Sequence, residues 1–141
     1  MPTLHTYDYA VVRVVPRVER GEFINAGIIV YCASAGLLSA RIELDEPRLL
    51  ALEPDADLEA LSVALGAIPP ICAGTHSAGP IGLLTPRERF DWLVADRSTS
   101  IQTSPVHSGR CVDPNAIMEH LLCTMVRRPS LGDDGAGRRL K

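Results

Sequence analysis

Two polar side chains interrupt apolar runs of this chain: Arg13 inside AVVRVV and Asn25 inside FINAGII. A charge or an amide in such a run must reach solvent, find a partner or bind a ligand. Glu19, Arg20 and Glu22 lie on the short connection between the runs, so a hairpin would gather all five groups. That gathering is either an internal ion pair with a hairpin-fixing hydrogen bond or a binding site. A second polar set runs from Arg97, Ser98 and Thr99 through Gln102 and Ser104 to His107. Arginine offers a planar fork of donors, and neighbouring hydroxyls add more, which suits a phosphate or a carboxylate. A polar edge strand is the plainer alternative.

Arg13, Arg41, Arg97 and His107 would make an anion or nucleotide pocket if they converged. Glu19 or Glu22 with His107 would make the acid–base pair of a hydrolase or nuclease if the strand bearing His107 neighboured the first hairpin. Ser104 and His107 stand three apart, on opposite faces of a strand, and no Gly-x-Ser-x-Gly elbow is present, so no catalytic nucleophile is assigned. Cys72 with His76 and His120 with Cys123 supply zinc-type ligands, but neither spacing is that of a finger, and no metal is assigned. The chain has no Walker loop and no dinucleotide fingerprint, and no cofactor is expected.

The elements that must position these groups follow from the residue pattern. Tyr7 to Val15 and Glu22 to Cys32 are rich in β-branched residues and predict two strands. Gly27 inside the second marks a bulge or a close backbone approach. Leu38 to Leu44 alternates apolar and polar and predicts a third strand. Short connections make the three an antiparallel meander. Asp45-Glu46-Pro47 opens a first helix, and Asp55 or Asp57 a second that Pro69-Pro70 should stop. Cys72 to Gly82 reads as loop. Thr85-Pro86-Arg87-Glu88 has the form of a capping box. Ser98 to Val106 predicts a fourth strand, and Asp113-Pro114 starts a last helix ending near Arg128. The expected class is α+β: a three-stranded meander plus a late fourth strand, with helices packed on one face. Residues 1–128 would form one domain and 129–141 a flexible basic tail.

The chain has 141 residues, 46% hydrophobic and 22% charged, an ordinary globular composition. Aromatic residues are 4%, too few for a base-stacking platform. The last fifteen residues carry +3 and the rest about −6 of the net −3. An acidic body argues against duplex binding, so nucleic acid is not an expected partner. Thirteen of the fourteen basic residues are arginine, a bias that points to a GC-rich bacterial genome. Cys32, Cys72, Cys111 and Cys123 include no Cys-x-x-Cys pair and are expected as reduced core residues. No apolar run is long enough for a membrane helix and no export pattern is visible, so a cytoplasmic location is expected.

The stretches YDYAVVRVVP, ERGEFINAGIIVY and RSTSIQTSPVHSG, followed by DP, resemble a family of short bacterial proteins known as domain of unknown function 3037. The resemblance runs from about Tyr7 to Arg128 and is most specific around Asn25-Ala26-Gly27 and from Arg97 to Gly109. It implies an intracellular bacterial setting and no established activity. It also implies a partner, because members are often encoded beside a HipA-like serine/threonine kinase, a toxin–antitoxin-like arrangement. The leading expectation is therefore a non-enzymatic interaction protein. The alternatives are a module for a small anion or nucleotide, and the hydrolase or nuclease described above.

Overall fold

The computed structural model describes residues 3–129. The tail expected over 129–141 falls outside them beyond Pro129. The central strand is β1, His5–Val14. On one side it pairs with β2, Ile24–Cys32, which pairs in turn with β3, Leu37–Ile42. On the other side it pairs with two short strands in succession, β4, Ile101–Thr103, and β5, His107–Cys111. Every pairing is antiparallel.

The single late strand of the sequence reading is thus split in two. Thr103 lies opposite Val12 and His107 opposite Tyr9. Three residues on the late strand therefore span two on β1, which is a β-bulge. Pro105 sits in it and has no N–H for the ladder. The β1–β2 ladder holds a second bulge: Val12 faces Gly27 but Arg13 faces Asn25, so Ala26 is the extra residue.

The helices are α1, Glu46–Leu52; α2, Leu58–Gly66; α3, Ile68–Ala73; α4, Pro86–Leu93; and α5, Pro114–Leu121. The α+β class holds, but the helices cover both faces rather than one. Val12, Val14 and Ile29 pack against Leu49, Leu65 and Phe90 on the α1–α4 side. Val11, Ile28 and Val30 pack against Ile117, Leu121 and Leu122 on the α5 side. The reason is in β1 and β2 themselves: both carry apolar residues at odd and even positions, so both faces need a cover.

Local chemistry sets the helix starts. Asp45, Asp57 and Asp113 each accept a backbone N–H of the first turn, and Thr85 with Glu88 forms the reciprocal capping box. The prolines at 69 and 70 do not end α2. They occupy the first turn of α3, where the missing N–H costs nothing. His76–Leu83, expected as loop, forms 3₁₀ turns broken at Gly79. The last helix leaves α-geometry at Leu122 and finishes as a π-turn through Val126.

Arg127 and Arg128, counted in the sequence with the basic tail, are bound to the body. Arg127 forks onto Glu43 at 2.8 and 2.9 Å and also binds Glu119. Arg128 binds Asp45 at 2.7 and 3.1 Å. Asp45 thus caps α1 and anchors the chain's later part. The Arg128 guanidinium and, less, the Arg48 N–H hold the Asp45 carboxyl down at about 2, against an ordinary 3.8. A depressed folded pKa means that the stabilisation is complete above 3.8 and fades as pH falls towards about 2. Asp45→Asn is expected to remove that part of the acid-unfolding slope. Circular dichroism titrations of both proteins over that interval check it; superimposable curves would contradict it.

Candidate functional site

The residues singled out in the sequence fall into separate places. Arg13 and Asn25 are opposite one another in the β1–β2 ladder, on the α5 face. The Arg13 guanidinium lies 4.2 Å above the Phe23 ring. Asn25 donates its amide to the Met125 carbonyl at 2.9 Å, tying the sheet to the π-turn. Arg13 Nε and Asn25 Oδ1 are buried and unpaired among the described residues. The internal ion pair suggested for Arg13 is therefore a cation–π contact, and the Asn25 bond holds the last helix rather than the hairpin.

Glu22 pairs with Arg20 at 2.7 Å, and Glu19 stands 3.9 Å from Arg17, which binds Glu53 at 2.5 Å. Arg20 holds the Glu22 carboxyl below its ordinary range. These acids follow the Val14 end of β1, whereas His107 lies opposite Tyr9, with the two rings 5.5 Å apart. Val14 is five residue steps along the strand from Tyr9, about 17 Å at about 3.4 Å per step. A general base must sit within hydrogen-bond reach or one water away, so the acid–base pair of Glu19 or Glu22 with His107 is not formed. Ser108, next to His107, donates to Asp8.

The four-member anion pocket is not formed either. Arg41 lies on the α5 face and binds Glu119 at 3.0 Å. Arg97 lies on the α1–α4 side, after α4. It folds back to donate to the carbonyls of Trp92, Leu93 and Ala95, with its guanidinium 4.6 Å above the Trp92 ring. A cation satisfies the negative end of a helix well. Sequence spacing cannot show which way a loop arginine turns, so its role as an α4 cap was not foreseen.

The Arg97 segment nevertheless borders a groove of about 450 Å³ between α2, α3, the end of α4 and β4. Ala60, Ala64, Ile68, Ile71 and Leu93 make its apolar wall. Thr99, Ser100, Ile101, Gln102 and Thr103 line the opposite wall. Adjacent strand residues point to opposite faces; because all five line it, the groove follows the strand's edge. Ser100 accepts the Val15 N–H at 2.7 Å and Ser104 donates its N–H to Val11 at 2.8 Å. Even-numbered residues therefore face β1, and Ile101 and Thr103 turn their peptide groups outward. No strand pairs with that side among the described residues. The Thr99 hydroxyl caps the Ile101 carbonyl, and the Gln102 amide folds back onto Thr99. Ser98, beside Arg97, is exposed.

Ser104, just after this wall, is a structural residue. Its buried hydroxyl accepts the Val11 N–H at 2.9 Å where the bulge breaks the ladder, and donates to the Pro105 carbonyl. Ser104→Ala leaves the Val11 donor buried and unpaired, an expected loss of about 1–3 kcal/mol. Urea unfolding measures it, and an unchanged midpoint would refute the assignment.

Two further residues escaped the sequence reading. Arg89 is buried and donates to the carbonyls of Ile71, Cys72 and Leu84. Trp92, the only tryptophan, lines the groove. Burial pushes the Cys72 thiol up to about 12 despite the nearby Arg89, which disfavours the thiolate form. Among the described residues no three His, Cys, Asp or Glu side chains cluster to hold a metal, and no single helix is long and apolar enough to cross a membrane.

Fold and site together define an antiparallel α+β protein with an apolar groove beside an open strand edge. The profile of the family described as Protein of unknown function (DUF3037) matches residues 9–126, and the chain belongs to that family. No curated protein and no solved structure gives a significant match.

Proposed function

We propose that the chain is a non-catalytic accessory protein that recognises a partner protein through the groove beside β4. The observation that carries this reading is the groove's composition. Its walls hold apolar side chains, the hydroxyls of Thr99, Ser100 and Thr103, and Arg97 and Gln102, but among the described residues no His, Asp, Glu or Cys. Hydroxyls without a base do not make a nucleophile, whereas an apolar cleft with a few fixed polar groups suits recognition. The proposed partner is the HipA-like kinase that the family resemblance implies, met in the cytoplasm. Co-expression with a HipA-like kinase from the same genome is expected to give a co-purifying complex. Ala64→Trp, an exposed position on the groove wall, is expected to disrupt it, while Val63→Trp on the solvent side of α2 leaves it intact. Separate elution of the two wild-type proteins at micromolar concentration would count against the reading.

A second reading, a module for a small anion, is favoured by one observation: Arg97 has no carboxylate within ion-pair distance among the described residues. It requires a rise in Tm with nucleotides or phosphosugars at millimolar concentration; no rise removes it.

A further inference from the structure

Resting on the recognition reading, we infer that the groove takes an extended peptide segment of the partner, added as a strand to the free edge of β4 and carrying an acidic residue at its Arg97 end. Three observations specify this occupant. First, Ile101 and Thr103 turn their peptide groups to the groove side, where among the described residues no strand pairs with them and only the Ile101 carbonyl has a hydrogen bond, from the Thr99 hydroxyl. Main-chain hydrogen bonds to such an edge favour an extended ligand over a helix. Second, the opposing wall is built from small and aliphatic side chains, Ala60, Ala64, Ile68 and Ile71. In an added strand alternate side chains point one way, so every second residue of the segment would be apolar and lie on this wall.

Third, the two ends of the groove differ in charge. Beside the end of α4, Arg97 donates through Nη1 and Nη2 to the α4 carbonyls of Trp92 and Leu93 and to the Ala95 carbonyl just after the helix. Of its five N–H groups, the Nε–H and one Nη2–H remain, and a carboxylate accepts two such N–H groups together. At the other end the groove continues past Ala60, Leu61 and Ser100 into a second depression. Asp55 and Asp57 border it, with Arg17 and Glu53, which pair with each other. Asp57 caps α2, and Asp55 is exposed and has no cationic partner within ion-pair distance among the described residues. The complementary segment is acidic at one end, alternately apolar in the middle and basic at the other. Five groove-side residues, Thr99 to Thr103, correspond to about 17 Å of strand, the span of five or six peptide residues.

The test uses two synthetic hexapeptides, acetyl-Lys-Leu-Thr-Leu-Thr-Glu-amide and its reversed sequence, since the strand direction is one of the outcomes. Trp92 lies in the groove wall and is the only tryptophan, so its fluorescence reports occupancy. One of the two peptides is expected to bind. Replacing its Glu with Gln should weaken binding about tenfold, the scale of a charge-assisted hydrogen bond. N-methylation of the amides that face β4 should weaken it at least as much, while N-methylation of the alternate amides should not. Arg97→Gln should abolish the difference between the Glu and Gln peptides. Because Arg97 also caps α4, Ala64→Trp serves as a second variant that leaves Arg97 and β4 in place, and it should block both peptides.

Equal affinity for Glu and Gln peptides, or indifference to N-methylation at every position, would overturn the added-strand inference. So would failure of both peptides to bind. The recognition reading is judged separately: if Ala64→Trp still breaks the kinase complex, the groove recognises a partner of another shape, and if the complex survives, the recognition reading itself fails.

Discussion

Gly27→Val is expected to lower the melting temperature by about 10 °C or more, or to prevent folding. Gly27 lies on β2 opposite Ile42 of β3 and immediately after the bulged Ala26. A Cβ there would stand 2.7 Å from the Arg41 carbonyl oxygen and 2.7 Å from the Ile42 side chain, with the Ile42 Cα at 3.3 Å. The Ile42 methyl can turn away, but the Arg41 carbonyl is backbone and cannot. Relief requires moving β3 from β2, which also carries the Ala26 carbonyl that accepts the Glu43 N–H at 2.7 Å. Glu43 in turn binds Arg127, so the strain reaches the last helix. Overpacking of this kind costs about 1–3 kcal/mol and more where backbone must shift. Gly66→Ala is the control. Nothing lies within 4 Å of its added methyl, and alanine in a helix is expected to add about 0.4–1 kcal/mol. Thermal unfolding followed by circular dichroism compares the three proteins. Wild-type melting in Gly27→Val would show that β3 has room to yield.

Arg89→Met carries the other large effect, an expected loss of about 3–5 kcal/mol. Arg89 belongs to α4 and is 9% exposed. Its Nη1 donates to the Ile71 and Cys72 carbonyls at 2.9 and 2.5 Å, and its Nε to the Leu84 carbonyl at 3.0 Å. Ile71 and Cys72 lie in the last turn of α3, where the Ile71 carbonyl also accepts the Gly74 N–H and the Cys72 carbonyl depends on Arg89. α3 ends at Gly74, whose φ of 70° is a left-handed turn glycine adopts freely, and the guanidinium lies against it. Methionine matches the aliphatic length of arginine but returns none of the three hydrogen bonds. The Ile71 carbonyl keeps the Gly74 N–H at 3.2 Å, but the Cys72 and Leu84 carbonyls lose their donor, which is the costly half of the exchange. Ile71 and Leu93 both line the groove, so the same variant is expected to weaken partner binding. Chemical denaturation gives the stability, and Arg89→Lys helps interpret it. Lysine keeps the charge but not the planar fork, and should recover only part of the loss. Wild-type stability in Arg89→Met would contradict the role assigned here.

How much of this was legible beforehand depended on distance along the chain. Asp45, Asp57, Thr85 with Glu88, and Asp113 act within one helical turn, and their roles follow from residues three positions away. Gly27 was legible as a close approach because a glycine in a β-branched run has few other uses. Pro69-Pro70 misled, because the same pair can end one helix or open the next, and the choice belongs to the packing of Ile68 and Ile71 against the sheet.

The polar residues mark the limit. Arg13 and Asn25 were seen to be anomalous and do face one another, since a hairpin register is local information. That Arg97 turns back onto α4, that Arg127 reaches Glu43, and that Arg89 sinks below α3 were not legible. Each depends on which carbonyls or carboxylates a distant element brings within 3 Å or so.

From its order of residue types alone, this chain was bound to form an antiparallel sheet with capped helices and a core of aliphatic side chains. Periodicity and capping act over a few residues and need no knowledge of the whole. Only the tertiary arrangement decided that both faces would be covered, that the arginines would separate, and that the edge of β4 would lie open beside α2. Long polar side chains take whatever partner the packed elements present, and a groove exists only once its separate walls have met.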